Sequence, residues 1–392
     1  MQTGADLFLG TGRFGGFFPN RPDTLPVVQE KSTLLAWFDR HKRDLPWRSP
    51  GGSSDPPPDP YAVWVSEIML QQTRVETVVP YFRRFLARFP DIACLARADE
   101  AEVLALWSGL GYYRRCRGLL AAAKAVVAAG GSLPARAREL ERLPGLGPYT
   151  AAAIASIAFA EPVPVLDGNV ERVLCRYAAR SAGAGKSGDR AALLELAASL
   201  LDHQRPGDSN QALMELGATV CTPRAPRCAV CPLAPGCLAR AQGTPESYPA
   251  PAKRASVESV RQVVALVEQE GRLLLYRRSA DARQLAALWE FPAVEVEEAG
   301  ASRALGAAEA RLGERFGGRW ALGAEIVRLR HAITTRSFAI AVRRASLLLT
   351  DGELAEPAAG AAAGWWSRAE LASLPLTGVA RKVLERAAPQ PG

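Results

Sequence analysis

A chain of 392 residues with 48% hydrophobic content can build two or three domains with real cores. Its 48 Lys and Arg against 40 Asp and Glu leave a net charge of +8, which favours a polyanionic partner such as nucleic acid without requiring one. No stretch reaches the roughly 18 uninterrupted apolar residues of a membrane span, and the opening MQTGADLFLGTGRFGGFFPNRPDTLP lacks the basic-then-apolar order of a signal peptide.

Residues 1–30 are expected to be a disordered tail outside the folded domains. With no export signal, the expected compartment is the reducing cytoplasm, where seven cysteines suggest ligands and core thiols, not disulfides. From Lys31 to about Arg240 the pattern is helical. KSTLLAWFDRHK, AVWVSEIMLQQ, VETVVPYFRRFLARF, RRCRGLLAAAKAVVAA, YTAAAIASIAF and DSNQALMELGATV all carry apolar residues at helical spacing. The run GGSSDPPPDP reads as a loop, since glycine and proline clusters do not sustain a helix. A first domain is expected over residues 31–241, and the proline-bearing stretch 242–256 reads as a linker. Residues 257–392 change texture. VESVRQVVALVEQ, RLLLYRRS, WALGAEIVRLRHAI and SFAIAVRRASLLL look like strands, and residues 301–316 like a helix, which suggests a small α+β domain.

The strongest local signal is CTPRAPRCAVCPLAPGC. Cys221, Cys228, Cys231 and Cys237 fall in one short proline-rich loop, which implies a metal centre. Zinc in a tetrahedral four-thiolate site and an iron–sulfur cube both suit four cysteines, and spacing alone does not separate them. Cys94, Cys116 and Cys175 sit singly within apolar helical patterns and read as buried packing residues.

A second signal is LPGLGPYTA. Gly145 and Gly147 let the backbone turn sharply and approach a ligand closely, and Pro148 suits the first turn of a helix. The N–H groups at that helix start could meet a phosphate oxygen. Downstream, Asp167 closes the apolar run VPVL, and it or Asn169 could cap the next helix.

The order of hairpin, VLDGNV and C-x₆-C-x₂-C-x₅-C resembles the endonuclease III superfamily of helix-hairpin-helix DNA glycosylases. LPWR (residues 45–48), WVSEIMLQQTRVETVVPYF (64–82), LWSGLGYYRRCR (106–117) and LPGLGPYTA are similar to its adenine-specific MutY family. The resemblance runs from about Lys31 to the C-terminus. It implies an all-α glycosylase core with a [4Fe–4S] cluster on the four cysteines, followed by an α+β Nudix-like domain. It further implies excision of adenine mispaired with 8-oxoguanine or guanine in double-stranded DNA, by a monomer.

Cleaving an N-glycosidic bond needs a proton on the leaving base and stabilisation of an oxocarbenium-like sugar, work that two carboxyl groups can divide. Glu67 lies in an otherwise apolar helix, where burial would raise its pKa and let it hold a proton. By resemblance it protonates adenine N7, while Asp167 faces the sugar as stabiliser or covalent nucleophile and Asn169 orients it. Tyr149 occupies the slot where strand-cutting relatives carry a lysine. A phenol cannot form their Schiff base, so a monofunctional enzyme is expected. The resemblance also assigns Arg43, Leu45, Trp47, Arg48 and Glu215 to the pocket for the flipped adenine. Leu70, Gln71, Gln72 and Thr73 would lie beside the lesion pair, and Tyr112 would be a wedge.

LWEFPAVEVEE (residues 288–298) resembles a Nudix strand and turn, but the helix after it lacks the REUxEE carboxylates that hold Mg²⁺ in Nudix hydrolases. The domain is therefore expected to recognise the lesion, not to hydrolyse. The family's Phe-Ser-His loop is here Ile333-Thr334-Thr335. Thr334 could replace the serine hydroxyl and Arg336 the missing imidazole; lesion preference is what this departure puts in doubt. Two rival functions stay open: an endonuclease III-like glycosylase and lyase for oxidised pyrimidines, and a non-catalytic lesion-binding protein.

Overall fold

The computed structural model describes residues 27–48, 58–181, 187–250, 256–297, 301–348 and 362–387. Of the expected tail, residues 1–26 lie outside these, as does most of the GGSSDPPPDP loop. From Val27 the chain is already helix α1 (Val27–His41), so the last four residues of that tail are ordered structure. The cause is Glu30, 3% exposed, whose carboxylate accepts a short hydrogen bond from the Tyr177 hydroxyl and fixes the helix start to the core.

The helical unit continues through α2 (Pro60–Leu70), α3 (Val75–Arg88), α4 (Ile92–Ala96), α5 (Glu100–Trp107), α6 (Tyr113–Ala128), α7 (Ala137–Leu140), α8 (Pro148–Phe159), α9 (Gly168–Tyr177), α10 (Ser187–Ser199), α11 (Pro206–Thr219) and α12 (Leu238–Ala241). Local chemistry sets many of the starts. Asp59, Asp91, Asp99 and Asp167 accept hydrogen bonds from backbone N–H groups of the first turn, and Pro60, Pro148 and Pro206 open their helices.

Two apolar cores form. One gathers Trp64, Phe85, Trp107 and Leu119 from α2, α3, α5 and α6. The other gathers Leu34, Phe38, Leu174 and Leu213 from α1, α9 and α11. Helix α8 belongs to both, giving Ile154 and Ala155 to the first and Ala152 and Ala153 to the second. At the seam between the halves, α8 packs against both α2 and α11.

The proposed linker begins as part of the helical unit. Ala250 N–H donates to Ser181 O, and Arg176 Nε donates to Tyr248 O. Cys116 and Cys175 are buried, but Cys94 is only partly so, because it sits in the exposed first turn of α4 hydrogen-bonded to the capping Asp91.

The C-terminal unit has strands β1 (Glu258–Leu266), β2 (Glu268–Gln269), β3 (Arg272–Arg277), β4 (Trp289–Glu290), β5 (Ala293–Val296), β6 (Arg319–Ile333), β7 (Arg336–Leu348) and β8 (Ala362–Ser367), with α13 (Ala301–Phe316), α14 (Arg368–Leu371) and α15 (Gly378–Arg386). One sheet has the order β5-β1-β7-β6, with β1 and β7 parallel; the other is built on β3, paired with β2, β4 and β8. Alternation sorts the side chains to two faces. Val264, Leu266, Leu273 and Leu275 pack with Val383 of α15, whereas Val263, Ala265, Leu274 and Tyr276 pack with Leu312 of α13. This is the expected fold class, a helical core joined to an α+β domain.

The units meet at the α5–α6 turn. The carbonyl of Leu376 accepts hydrogen bonds from Ser108 Oγ (2.8 Å) and Tyr113 OH (2.9 Å), and Arg381 donates to Ser108 O. Leu288 of the C-terminal unit is buried in the first helical core. Among the described residues no helix is long and apolar enough to cross a membrane.

Candidate active site

A cleft of about 850 Å³ opens along the seam, a size that suits a nucleoside-scale ligand. Its lining includes Arg43, Leu45, Trp47, Arg48, Glu67, Leu70, Gln71, Gln72, Thr73, Tyr149, Asp167, Asn169 and Glu215. Residues 100 apart in sequence converge because α2 carries Glu67 on one wall, Asp167 caps α9 on the other, and α8 starts between them.

Glu67 is 6% exposed, on a helix otherwise sunk among Trp64, Val65 and Ile68. Burial raises its pKa to about 7, helped by the nearby Asp167 charge and opposed by the Tyr149 hydrogen bond and Arg48. The group can therefore hold a proton near neutral pH. Tyr149 OH donates to Glu67 Oε2 at 3.0 Å and lies 3.2 Å from Met214 Sδ. Its own pKa is pushed well above 10 by burial and by the Glu67 charge, so it stays a phenol.

Asp167 has two tasks. It caps α9, accepting from Val170 N–H at 2.7 Å through Oδ1, and accepts from Asn169 Nδ2 at 3.3 Å through Oδ2. Burial raises its pKa, while those N–H donors pull the other way. Arg172 Nη2 fixes Asn169, donating to its Oδ1 at 2.9 Å, and also bonds Gly217 O. A Cβ on Gly217 would lie 2.7 Å from Asn169 Cβ, so α11 packs against Asn169 only because that side chain is absent.

At the far end, Arg43 and Arg48 both hold the buried Glu215, at 2.6 Å and 2.9 Å. Burial alone would raise the Glu215 pKa, but the two guanidinium groups bring it below its ordinary value. Arg48 Nε donates to Gln211 Oε1 at 3.0 Å. Trp47 is buried edge-on against Phe82, and Leu45 is buried beside it. Gln71 Nε2 donates to Thr150 Oγ1, and Gln72 takes left-handed backbone, φ +55°. Sequence reasoning missed Gln211, Met214 and Arg172; each looks like an ordinary residue of an amphipathic helix, with no motif to mark it.

Other expected residues lie outside the cleft. Gly145, in the hairpin before α8, has φ +76°, and a Cβ on it would meet the Gly118 Cα of α6 at 3.0 Å. Gly147 caps α8 with φ −91°, so the turn does not need a glycine there; a Cβ would point into open space, leaving the helix start uncovered. Tyr112 is the left-handed N-cap of α6 and 49% exposed. Thr334 sits at the exposed tip of the β6–β7 hairpin with φ +52°, its hydroxyl donating to Ile333 O. Arg336 does not reach the tip: Glu258 and Glu295 hold it in paired ion bridges, a partnership that only the strand register creates. In α13, Glu309 accepts from Leu322 N–H, so this acid serves the fold.

Cys221, Cys228, Cys231 and Cys237 ring one separate cavity with Val220, Pro226 and Ala234. None is in a disulfide. Burial, reinforced by the charges of its cysteine neighbours, pushes Cys231 up to about 12, so bare thiolates are disfavoured there without a cation. Arg176 Nη1 donates to Cys221 Sγ and to Thr222 O, tying the loop to α9. Four convergent thiols in a mostly apolar cavity fit an iron–sulfur cluster. Among the described residues no three His, Cys, Asp or Glu groups gather around a single metal-ion position.

A model of HhH-GPD superfamily base excision DNA repair proteins matches residues 65–198, and a NUDIX domain model matches residues 262–386. The adenine DNA glycosylase of Mycolicibacterium smegmatis is 42% identical over 214 residues, covering 54% of this chain and 70% of that protein. The chain belongs to the adenine DNA glycosylase family. This family member is also 41% identical to the adenine DNA glycosylase of Mus musculus over 322 residues, covering 70% of this chain. The likeness to that of Homo sapiens is 40% over 322 residues and again 70% of the chain. It spans 62% of the length of the mouse protein and 59% of the human one.

Proposed function

We propose that the protein is a monofunctional DNA glycosylase that excises adenine mispaired with 8-oxoguanine or guanine. The observation that carries the reading is the pair Glu67 and Asp167 on opposite walls of one nucleoside-sized cleft, one poised to hold a proton near neutrality. Family membership supports adenine as the base.

The base enters the cleft only after it is flipped from the stack, which costs roughly a few kcal/mol. The Arg43–Glu215–Arg48 group and Trp47 frame it. Glu67 transfers its proton to adenine N7, and the C1′–N9 bond breaks with its electron pair going to the base. Asp167 faces the positive charge left on the sugar, or captures C1′ as an ester that water then opens. Asn169 holds the carboxylate in place. Tyr149 keeps its proton and has no amine to attack the sugar, so the strand is not cut. Cys221, Cys228, Cys231 and Cys237 would hold a [4Fe–4S] cluster, which when bound would supply iron–thiolate bonds that cross-link residues 221–237 into one fixed loop. Gly145, Gly147 and the start of α8 meet a phosphate, Tyr112 and residues 70–73 meet the lesion pair, and Thr334 offers its hydroxyl to the opposite base. The reaction belongs to the cytoplasm and its nucleoid.

Single-turnover release from duplexes bearing adenine opposite 8-oxoguanine, guanine, cytosine and thymine tests this. The first two release adenine fastest, and Glu67→Gln abolishes release while keeping binding. Tight binding with no release from any duplex would reduce the protein to a lesion binder, and preferential removal of oxidised pyrimidines would make it an endonuclease III-like enzyme. A brown preparation supports the cluster; a colourless, zinc-loaded one refutes it.

A further inference from the structure

Arg115, in the first turn of α6, has no part in the chemistry just described. Its Nη1 donates to the carbonyls of Ile68 (2.9 Å) and Met69 (3.2 Å) at the end of α2, and at still closer range to Gln71 O. Its Nη2 reaches Thr73 Oγ1 (3.3 Å) and Gly111 O (3.4 Å). The guanidinium lies 5.2 Å from the Tyr112 ring centroid and 5.8 Å from that of Trp107. Burial lowers its pKa to about 10, so it stays cationic at neutral pH. A cation here also complements the orphan carbonyls that end a helix.

Two of these acceptors define the role. Gln71 O is the carbonyl directly before Gln72, φ +55°, and Gly111 O is the carbonyl directly before Tyr112, φ +50°. Left-handed backbone is unfavourable at residues other than glycine and persists only where the surroundings hold it. One planar group therefore fastens two unfavourable backbone turns that no sequence neighbourhood joins. A lysine, with a compact point charge, cannot span both.

We propose that Arg115 is a positioning residue that holds the Tyr112 ring and residues 71–73 at one fixed spacing, so that they enter the duplex as a single device when a base is extruded. This rests on the proposed glycosylase reading, in which both elements meet the lesion pair. An element that enters alone leaves half of the disturbed base step unsupported.

The test is a double-mutant cycle between Arg115→Lys and Tyr112→Ala in the full chain. It is read by single-turnover adenine release and by the fluorescence of 2-aminopurine beside the target adenine, which brightens on unstacking. Arg115→Lys slows release about tenfold, ~1.4 kcal/mol, and reduces the brightening. The double variant releases adenine at close to the rate of Tyr112→Ala alone, because the spacing that Arg115 fixes between the ring and residues 71–73 serves extrusion only while the ring is present. Losses that multiply in the double variant, or Arg115→Lys behaving as wild type, overturn the proposal. Hydrogen exchange in the DNA-free protein gives a readout independent of turnover. Amides of residues 71–73 and 110–113 exchange faster together in Arg115→Lys; acceleration of one stretch alone, or of the whole helical unit, overturns it. If the wild-type chain releases adenine from no duplex, the glycosylase reading falls and exchange alone judges Arg115.

Discussion

Replacing Tyr149 with phenylalanine isolates the hydrogen bond that restrains the proton on Glu67. The Tyr149 hydroxyl stabilises the Glu67 carboxylate and so opposes the rise that burial causes. Without it the anion is less favourable, and the Glu67 pKa climbs above about 7. A hydrogen bond to a buried charged group contributes roughly 1.5–3 kcal/mol, and about 1.4 kcal/mol moves a pKa by one unit. The single phenol proton is shared with Met214 Sδ at 3.2 Å, so the lower figure applies, about one unit. The proposed reaction uses the protonated acid, so its rate falls as pH rises through that pKa. The assay is single-turnover adenine release from roughly pH 6 to 9.5, with DNA saturating. The falling limb, near pH 7 in the wild type, moves to about 8 in Tyr149→Phe, which overtakes the wild type on the alkaline side. A limb that stays put, or shifts to lower pH, refutes the assignment of Glu67 as the acid under Tyr149's control.

Glu67→Gln should trade activity for stability. The Glu67 pKa is raised from 4.5 to about 7 by folding, so the stability of its buried protonated form is full below the unfolded value and is lost as pH rises through the folded one. Glutamine has no such dependence. Between about pH 5.5 and 8.5 the variant gains about 2 kcal/mol on the wild type, read from urea midpoints, and a gap constant with pH contradicts it. Gly145→Ala strains left-handed backbone and drives a methyl into Gly118, at a cost of about 1–3 kcal/mol. Binding to undamaged duplex weakens, and the slope of log affinity against log salt flattens by about one; an unchanged slope means that the hairpin holds no phosphate. Ser108→Ala and Tyr113→Phe each leave the Leu376 carbonyl one partner, and their combination leaves it neither. The double variant therefore loses more stability than the two singles summed, by about 1 kcal/mol; simple additivity in thermal melts would count against a shared acceptor.

Much of the site was legible because its residues break local rules. Glu67 is an acid in an apolar helix, and Asp167 ends an apolar run immediately before a helix, so each pointed to a task beyond solubility. The two-domain fold was legible in the change from helical to alternating periodicity. What escaped depends on contacts between distant segments. Gln211 and Met214 face the cleft only because Gly217 lets α11 close on Asn169. Arg115 sits in RRCR, which reads as a solvated basic face, until α6 packs beside the end of α2. Arg336 looked available because the pairing of β1 with β5 and β7, which brings Glu258 and Glu295 to it, is invisible locally. The strand β8, AAGWWS, carries small residues with little strand preference and forms by pairing with β3.

Helix α8 touches both halves of the helical unit, mostly through alanines. The separation of packed helices follows the bulk of the side chains between them, so this run of methyl groups is a spacer of minimum thickness. It sets the gauge at which the two carboxyl groups, Glu67 and Asp167, confront each other across the cleft. A valine at position 152 or 153 would change no reacting atom, yet it would push the walls apart and leave donor and acceptor each sound and out of reach.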